Sequence, residues 1–385
     1  MQQRRTLTEL FGQVATGERH AVKFILLDSM NEKRLQEAGR EIRNQWRCNH
    51  ANVAGIKWVD IVRHKPKYQP REQTFLCIAM EYCERGELFN SVAQGLFSTE
   101  AEKRRIFAEL VAAVEYLHNF LQICHRDLKL ENVLLDRECH IKVCDFGVSK
   151  SEGFDSDPRS CVGTPAYCAP EVLHGVGKHA YNGRKADVWS LGVVLYILEH
   201  RQFPFGAEPD YSLVQVMGNI RNMRFVGQAP NRPEGVDNLI RCILTRDPER
   251  RLALGLIWQH PWMQDVPQDL RTPQPNPSGG PMQSPQEAEK VFERAEKYVL
   301  DRRYNEASLA DAMEEATMED APETEPQQQC PPSPQKPKPQ MVAPWPQGPE
   351  GGGGSGFNGG FGPFQASGAD VEELFEQFER LFGGG

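Results

Sequence analysis

Residues 124–147 read CHRDLKLENVLLDRECHIKVCDFG, and no other stretch of the chain limits its fold so tightly. His125-Arg126-Asp127 is followed by Lys129, Asn132 and then Asp145-Phe146-Gly147, and two short apolar runs, Val133-Leu134-Leu135 and Ile141-Lys142-Val143, join the polar positions. The second of these runs reads as a strand. Asp127 can accept the proton of an attacking hydroxyl. Lys129 can neutralise charge on a phosphoryl group in transit. Asn132 and Asp145 offer hard oxygen ligands, which suit Mg²⁺ bridging the phosphates of ATP. A surface loop with incidental charges has no reason to keep this spacing.

On these residues the chain resembles the eukaryotic protein kinases, from about residue 10 to 270. The resemblance implies an α+β, bilobal fold: a small, mostly β amino-terminal lobe over residues 1–83 and a large helical carboxy-terminal lobe over 84–270. It implies ATP and Mg²⁺ as cofactors and protein substrates as partners.

In the amino-terminal lobe, Thr16-Gly17-Glu18 is a turn signal ahead of a strand-like run over 20–27. Ala21-Val22-Lys23 in that run resembles the strand whose lysine pairs the α- and β-phosphates. Residues 31–47 carry Leu35, Ile42 and Trp46 at helical spacing, and Glu41 stands where the family places the glutamate that holds the lysine. Residues 58–63 and 74–80 read as two more strands. Met80-Glu81-Tyr82-Cys83 matches the hinge, where backbone groups meet the adenine edge and Met80 is the gatekeeper.

One part of the family pattern is missing. Kinases cover the ATP phosphates with a hairpin reading G-x-G-x-x-G, because backbone must approach phosphate closely. Here Phe11-Gly12-Gln13-Val14 looks like the end of that motif, with Gly12 and Val14 in place, but the two earlier glycines are absent and the spacing to Lys23 is short. The first hairpin is therefore expected to be truncated. This departure supports the alternative reading, a pseudokinase or scaffold that works by binding. The presence of Lys23, Glu41, Asp127, Asn132 and Asp145 together supports an active enzyme.

In the carboxy-terminal lobe, Gly86-Glu87-Leu88-Phe89 is expected to open a helix, and residues 100–120 form another with Ile106, Leu110, Val114 and Leu117 on its buried face. Its His118 reads as a packed or capped histidine without function. Lys129 resembles the serine/threonine kinases. In basophilic members, acids at the positions of Glu87 and Glu131 face arginines upstream of the modified residue, through charge-assisted pairing with guanidinium, which implies a preference for R-x-x-S/T sites; Glu87 is also a candidate for the ribose hydroxyls. Ser160 is the candidate phosphorylation site on the activation segment, with Arg126 as the partner of its phosphate. Thr164 is expected to bond to Asp127 and Lys129, Asp187 to hold the catalytic-loop backbone, and Arg251 to pair with Glu171.

HRDLKLENVLLD, KVCDFGVSK, RSCVGTPAYCAPEVL and HPWMQDVPQDL narrow the resemblance to the plant and green-algal sucrose-nonfermenting-1-related kinases of the second subfamily, the osmotic-stress kinases. Residues 271–325 read as a regulatory extension. Residues 283–291 resemble that subfamily's extra helix, which packs on the amino-terminal lobe, and the acidic run 311–325 resembles its tail, which implies a regulatory phosphatase beside an upstream kinase; the run reads equally as a solvated tail. Residues 326–368, rich in Pro, Gln and Gly, are expected to be disordered. Residues 369–382 put Val371, Leu374, Phe375, Phe378, Leu381 and Phe382 on one stripe of a short amphipathic helix bounded by glycines.

Net charge and cysteine usage bound the partners and compartment. The chain has 53 acidic residues against 44 Lys and Arg, net −9, which argues against nucleic-acid binding. Ten cysteines without a C-x-x-C pair favour free thiols in a reducing compartment. A polar, basic start with no apolar run behind it gives no signal peptide, and no stretch reaches the roughly 18 apolar residues of a membrane span. The expected location is cytoplasmic or nuclear.

Overall fold

The computed structural model describes residues 6–12, 19–64, 71–146, 150–151, 165–174, 181–207, 209–227, 230 and 234–319. Two compact units divide the chain, residues 1–300 and 301–385.

The first unit begins with β1 (Thr6–Gly12) and β2 (Arg19–Leu26), followed by helix α1 (Glu32–Trp46) and strands β3 (Ile56–His64) and β4 (Gln73–Glu81). The strands form one antiparallel sheet in the order β1-β2-β4-β3. Val22 and Phe24 are buried while Lys23 between them is half-buried, the alternation a pleated strand imposes. Lys23 pairs in register with Thr8 on one side and Ile78 on the other. Asn31 caps α1 by accepting from the Arg34 N–H at 2.9 Å, which satisfies one of the first-turn donors. A single strand, β1, precedes β2 among the described residues, and Gly12 ends it opposite Arg19. Val14 lies outside the described residues.

Next come β5 (Gly86–Glu87), α2 (Leu88–Ala93) and the long helix α3 (Glu100–Asn119). The expectation that a helix opens at Gly86 is corrected here. Gly86 and Glu87 pair with β7 (Val133–Leu135), and the positive φ of Gly86, +67°, suits a turn into a strand rather than a first helical turn. Thr99 and Glu102 form a reciprocal capping box at the start of α3, and the predicted face of Ile106, Leu110, Val114 and Leu117 is fully buried.

The site-bearing segment is built from β6 (Ile123–Cys124), β7, β8 (Ile141–Val143) and β9 (Lys150–Ser151). Beyond it lie α4 (Pro170–His174), α5 (Gly183–His200), α6 (Leu213–Asn222) and α7 (Gly235–Ile243). Helices α3, α5 and α7 supply much of the large-lobe core. Gly192 lets α5 approach α7 closely: a Cβ there would lie 2.6 Å from Ile243 Cγ2.

Helix α8 (Pro285–Glu319) closes the described chain. A reciprocal pair of bonds between Ser284 and Glu287 caps its start. Ala288, Val291, Phe292, Ala295 and Val299 recur at helical spacing and are buried against Leu35, Ala38 and Ile42 of α1 and residues of β2, β3 and β4, so α8 completes the small-lobe core. The family pattern fades near residue 270, yet the packing of this unit continues to residue 300. In the second unit, residues 301–319 are helical; the expectations for residues 320–325, 326–368 and 369–382 lie outside the described residues.

Candidate active site

The turn between β6 and β7 is held by one buried acid. Asp187, near the start of α5, accepts from the His125 N–H through Oδ2 at 2.8 Å and from the Arg126 N–H through Oδ1 at 2.7 Å, and His118 of α3 lies 2.7 Å from the same Oδ2. Burial opposes ionisation of Asp187, but the bond and charge of His118 with the backbone donor outweigh it and hold the carboxyl below its ordinary range. His118, read from sequence as merely packed, is thus part of the anchor. The donor atoms of His118, Cys124 and Asp187 lie within 4.8 Å of one another. Both Asp187 oxygens already accept hydrogen bonds, so this cluster is an anchor rather than a cation site. It also stabilises a backbone that few residues adopt: Arg126 has φ +70°, a left-handed conformation costing about 1–2 kcal/mol.

Within the turn, Asn132 Nδ2 donates to the Asp127 carbonyl at 2.8 Å and to its carboxylate at 3.1 Å. Lys129 Nζ lies 3.0 Å from the same carboxylate. Asp127, Lys129 and Asn132 therefore share one hydrogen-bonded cluster. The Arg126 guanidinium donates to the Tyr181 hydroxyl, its Nε at 3.0 Å, and sits over that ring.

Asp145 enters from β8, also with a left-handed φ of +64°. Behind it Phe146 is fully buried and packs on the His125 ring, centroids 5.2 Å apart. Asp145 Oδ1 is 3.9 Å from Lys23 Nζ, which in turn lies 2.7 Å from Glu41 Oε1. Burial lowers the affinity of Lys23 for its proton, but Glu41 and Asp145 more than offset this, so its pKa is raised and the ammonium stays charged. The carboxylate of Asp145 and the amide oxygen of Asn132 are the donor types a hard divalent cation takes, so the residues present fit a metal bridging nucleotide phosphates.

The segment read as the hinge, Met80 to Cys83, begins on the last two residues of β4. Met80 is half-buried, with the Gln45 amide 3.8 Å from its sulfur. Cys83 is buried, and burial pushes its thiol up to about 12. The Glu81 side chain points away into a polar network: Lys142 Nζ lies 2.6 Å from it, and Ser278 and Asn276 donate at 2.7 and 2.8 Å. Neither Asn276 nor Ser278 was legible as a site residue, because nothing in their neighbours announces a contact some 200 residues back along the chain.

Glu87 accepts weakly from Asn90 at 3.5 Å, and Glu131 accepts from the Tyr167 hydroxyl at 3.2 Å. Burial raises the Glu87 carboxyl, and the Glu131 charge raises it further. Ser160 and Thr164 lie outside the described residues. Arg251 pairs with Glu171 through two bonds of 2.7 and 2.9 Å and is almost wholly buried.

Comparison with known families matches residues 10–263 to the protein kinase domain. The chain is 39% identical over 266 residues to serine/threonine-protein kinase SRK2F of Arabidopsis thaliana, covering 66% of this chain and 69% of that one. It is 36% identical over 307 residues to an abscisic acid-inducible protein kinase of Triticum aestivum, covering 76% and 86%. It is 35% identical over 302 residues to serine/threonine-protein kinase SAPK1 of Oryza sativa subsp. japonica, covering 76% and 83%.

Proposed function

The chain belongs to the protein kinase family as a serine/threonine kinase similar to the plant osmotic-stress kinases, and from that premise we propose that it transfers the γ-phosphoryl group of Mg-ATP to serine and threonine of R-x-x-S/T sites in stress signalling. The observation that supports this most is the line of charges Glu41, Lys23 and Asp145, at 2.7 and 3.9 Å, which joins the small-lobe lysine to the residue that would carry the metal. Lys23 would pair the α- and β-phosphates, with Glu41 fixing its ammonium. Asn132 and Asp145 would hold Mg²⁺, which when bound neutralises phosphate charge. Asp127 would take the proton of the substrate hydroxyl, and Lys129, 3.0 Å from it, would balance the charge that develops. The hinge backbone at Glu81 and Cys83 would meet adenine beside Met80. Gly12 and Val14 would cover the phosphates.

The raised carboxyl of Glu87 beside Glu131 supports the arginine preference, since a guanidinium between two acids relieves their repulsion. Phosphate on Ser160 would compete with Tyr181 for Arg126 and order the segment, with an upstream kinase adding it and a phosphatase removing it. Among the described residues no helix is long and apolar enough to cross a membrane. Eight cysteines there form no disulfide, the state that a reducing cytoplasmic or nuclear compartment would keep.

Two peptides differing only in Arg or Ala three residues before the serine test the substrate reading. The arginine peptide is expected to have kcat/KM at least about tenfold higher, and Glu131→Ala to narrow that gap. Equal rates for both peptides would contradict the arginine preference.

A further inference from the structure

Residues 274–283 run between the large lobe and α8 and pass behind the hinge. The Ala51 N–H donates to the Gln274 carbonyl at 2.8 Å. The Asn276 N–H donates to Asn49 Oδ1 at 2.9 Å, and the Ser278 N–H returns to Asn276 Oδ1 at 3.0 Å. Lys57 donates to the carbonyls of Ser278 and Gly279. Gln283 both donates to and accepts from the Val59 backbone, at 3.1 and 3.0 Å. The strap is thus pinned to the small lobe at several points.

At its centre lies a buried charge pair. Glu81 and Lys142 are 8% and 1% exposed and 2.6 Å apart. Burying two opposite charges gains little by itself, because desolvation offsets their attraction unless the remaining lone pairs and protons also find partners. The strap supplies those partners. Asn276 Nδ2 donates to Glu81 Oε2 at 2.8 Å and Ser278 Oγ to Oε1 at 2.7 Å, while Asn276 Oδ1 accepts from Lys142 at 3.3 Å. The Gly55 N–H adds a longer bond to Oε2, at 3.4 Å.

This network touches three elements of the site. Glu81 ends β4 directly after Met80. Lys142 stands on β8, three residues before Asp145. Downstream the strap becomes α8, which packs on the helix that carries Glu41. A carboxylate held by four donors fixes its own Cα, and with it the peptide groups that begin the hinge.

We propose that Asn276 and Ser278 are positioning residues that latch Glu81 and Lys142, setting the hinge backbone for nucleotide binding from outside the family domain. The proposal rests on the assignment of the Glu81–Cys83 backbone to adenine. A hinge without the latch must be ordered when nucleotide binds, and that cost weakens affinity while leaving chemistry on the bound nucleotide little changed.

The test uses the full chain and two readouts, the Kd for Mg-ATP by calorimetry and the steady-state KM and kcat. Asn276→Ala is expected to weaken Kd and raise KM by about three- to tenfold, less than the full loss of a hydrogen bond to a charged group because the latch reaches the nucleotide only through the hinge backbone, with kcat within about twofold. Ser278→Ala is expected to do the same more weakly, and Ser278→Thr, which keeps the hydroxyl, to restore wild-type values. Gln283→Ala, which loosens the strap on β3 away from the hinge, is expected to lower Tm without weakening Kd. Unchanged Kd in Asn276→Ala would overturn the latch. So would equal weakening by Asn276→Ala and Gln283→Ala, which would mean that the strap acts through general stability. A wild type that binds Mg-ATP without turnover would contradict the proposed activity alone, with the latch judged on Kd; one that binds no nucleotide would overturn both.

Discussion

The Arg43 guanidinium lies over the Phe292 ring, 5.3 Å from its centroid, and so joins α8 to α1 two residues past Glu41. Arg43 also forms an ion pair with Glu289, but both partners are close to half exposed. Phe292 is 2% exposed. The apolar face of α8, not its charges, is therefore what backs α1.

Phe292→Ala should destabilise the protein by about 3 kcal/mol or more, as large-to-small changes in a core do. Arg43→Ala should cost under about 1 kcal/mol, as exposed pairs do. Chemical denaturation of the two variants beside wild type checks this. Equal losses would mean that the ion pair carries the contact.

Glu41→Gln keeps the shape of the bond to Lys23 but removes its charge. Loss of a charge-assisted bond of about 1.5–3 kcal/mol should lower kcat/KM for ATP roughly 10- to 100-fold, with Tm little changed. Steady-state phosphorylation measures it, and wild-type kcat/KM would show that Glu41 does not position Lys23.

Arg251 is a buried cation with five acceptor contacts, to Glu171 twice and to the carbonyls of Lys185, Thr245 and Arg246. Arg251→Ala leaves Glu171 without its counter-charge and opens a cavity against Trp189. The expected cost is about 3–5 kcal/mol, read as loss of folded yield or a large drop in denaturation midpoint.

His50 gives the fold an acid weakness. Burial and then the charge of Lys142 lower its pKa from 6.5 to about 4. Its Nδ1 accepts from the Asn52 N–H at 3.0 Å, so the folded state holds the neutral ring. As pH falls below 6.5 the unfolded chain takes up a proton that the folded chain refuses. Stability is full above that pH and is lost until the folded ring protonates near pH 4, a total of about 3 kcal/mol. In His50→Gln the fall in stability between pH 6.5 and 4 should be shallower by that amount. Parallel curves for variant and wild type would contradict this.

Much of this arrangement was legible because it is written locally. The spacing from His125 to Asp145 marks the catalytic segment, and the helical run around Leu35 and Ile42 marks α1, on which the family pattern singled out Glu41. Asp187 and Arg251 were legible through the family pattern rather than through their neighbours. What stayed hidden depends on partners distant in sequence. His118 looks like any histidine on a buried helix until Asp187 is beside it. The apolar stripe of α8 says that a face is covered but not that Ala38 and Ile42 cover it. Asn276 and Ser278 lie in a turn-rich stretch whose composition resembles an ordinary linker. At Gly86 the local pattern misled, since pairing with Leu135 outweighed the helical start beside it.

The central claim, a working kinase although Phe11-Gly12-Gln13-Val14 matches only the end of the glycine motif, is tested most directly by incorporation of labelled phosphate from Mg-ATP into an R-x-x-S peptide, with Asp127→Asn prepared in parallel. Removing the proton acceptor while keeping the side chain's shape should abolish nearly all incorporation seen with wild type, a fall of at least about 100-fold. Wild-type incorporation no higher than that of Asp127→Asn would contradict the account and leave a protein that keeps the fold and acts by binding.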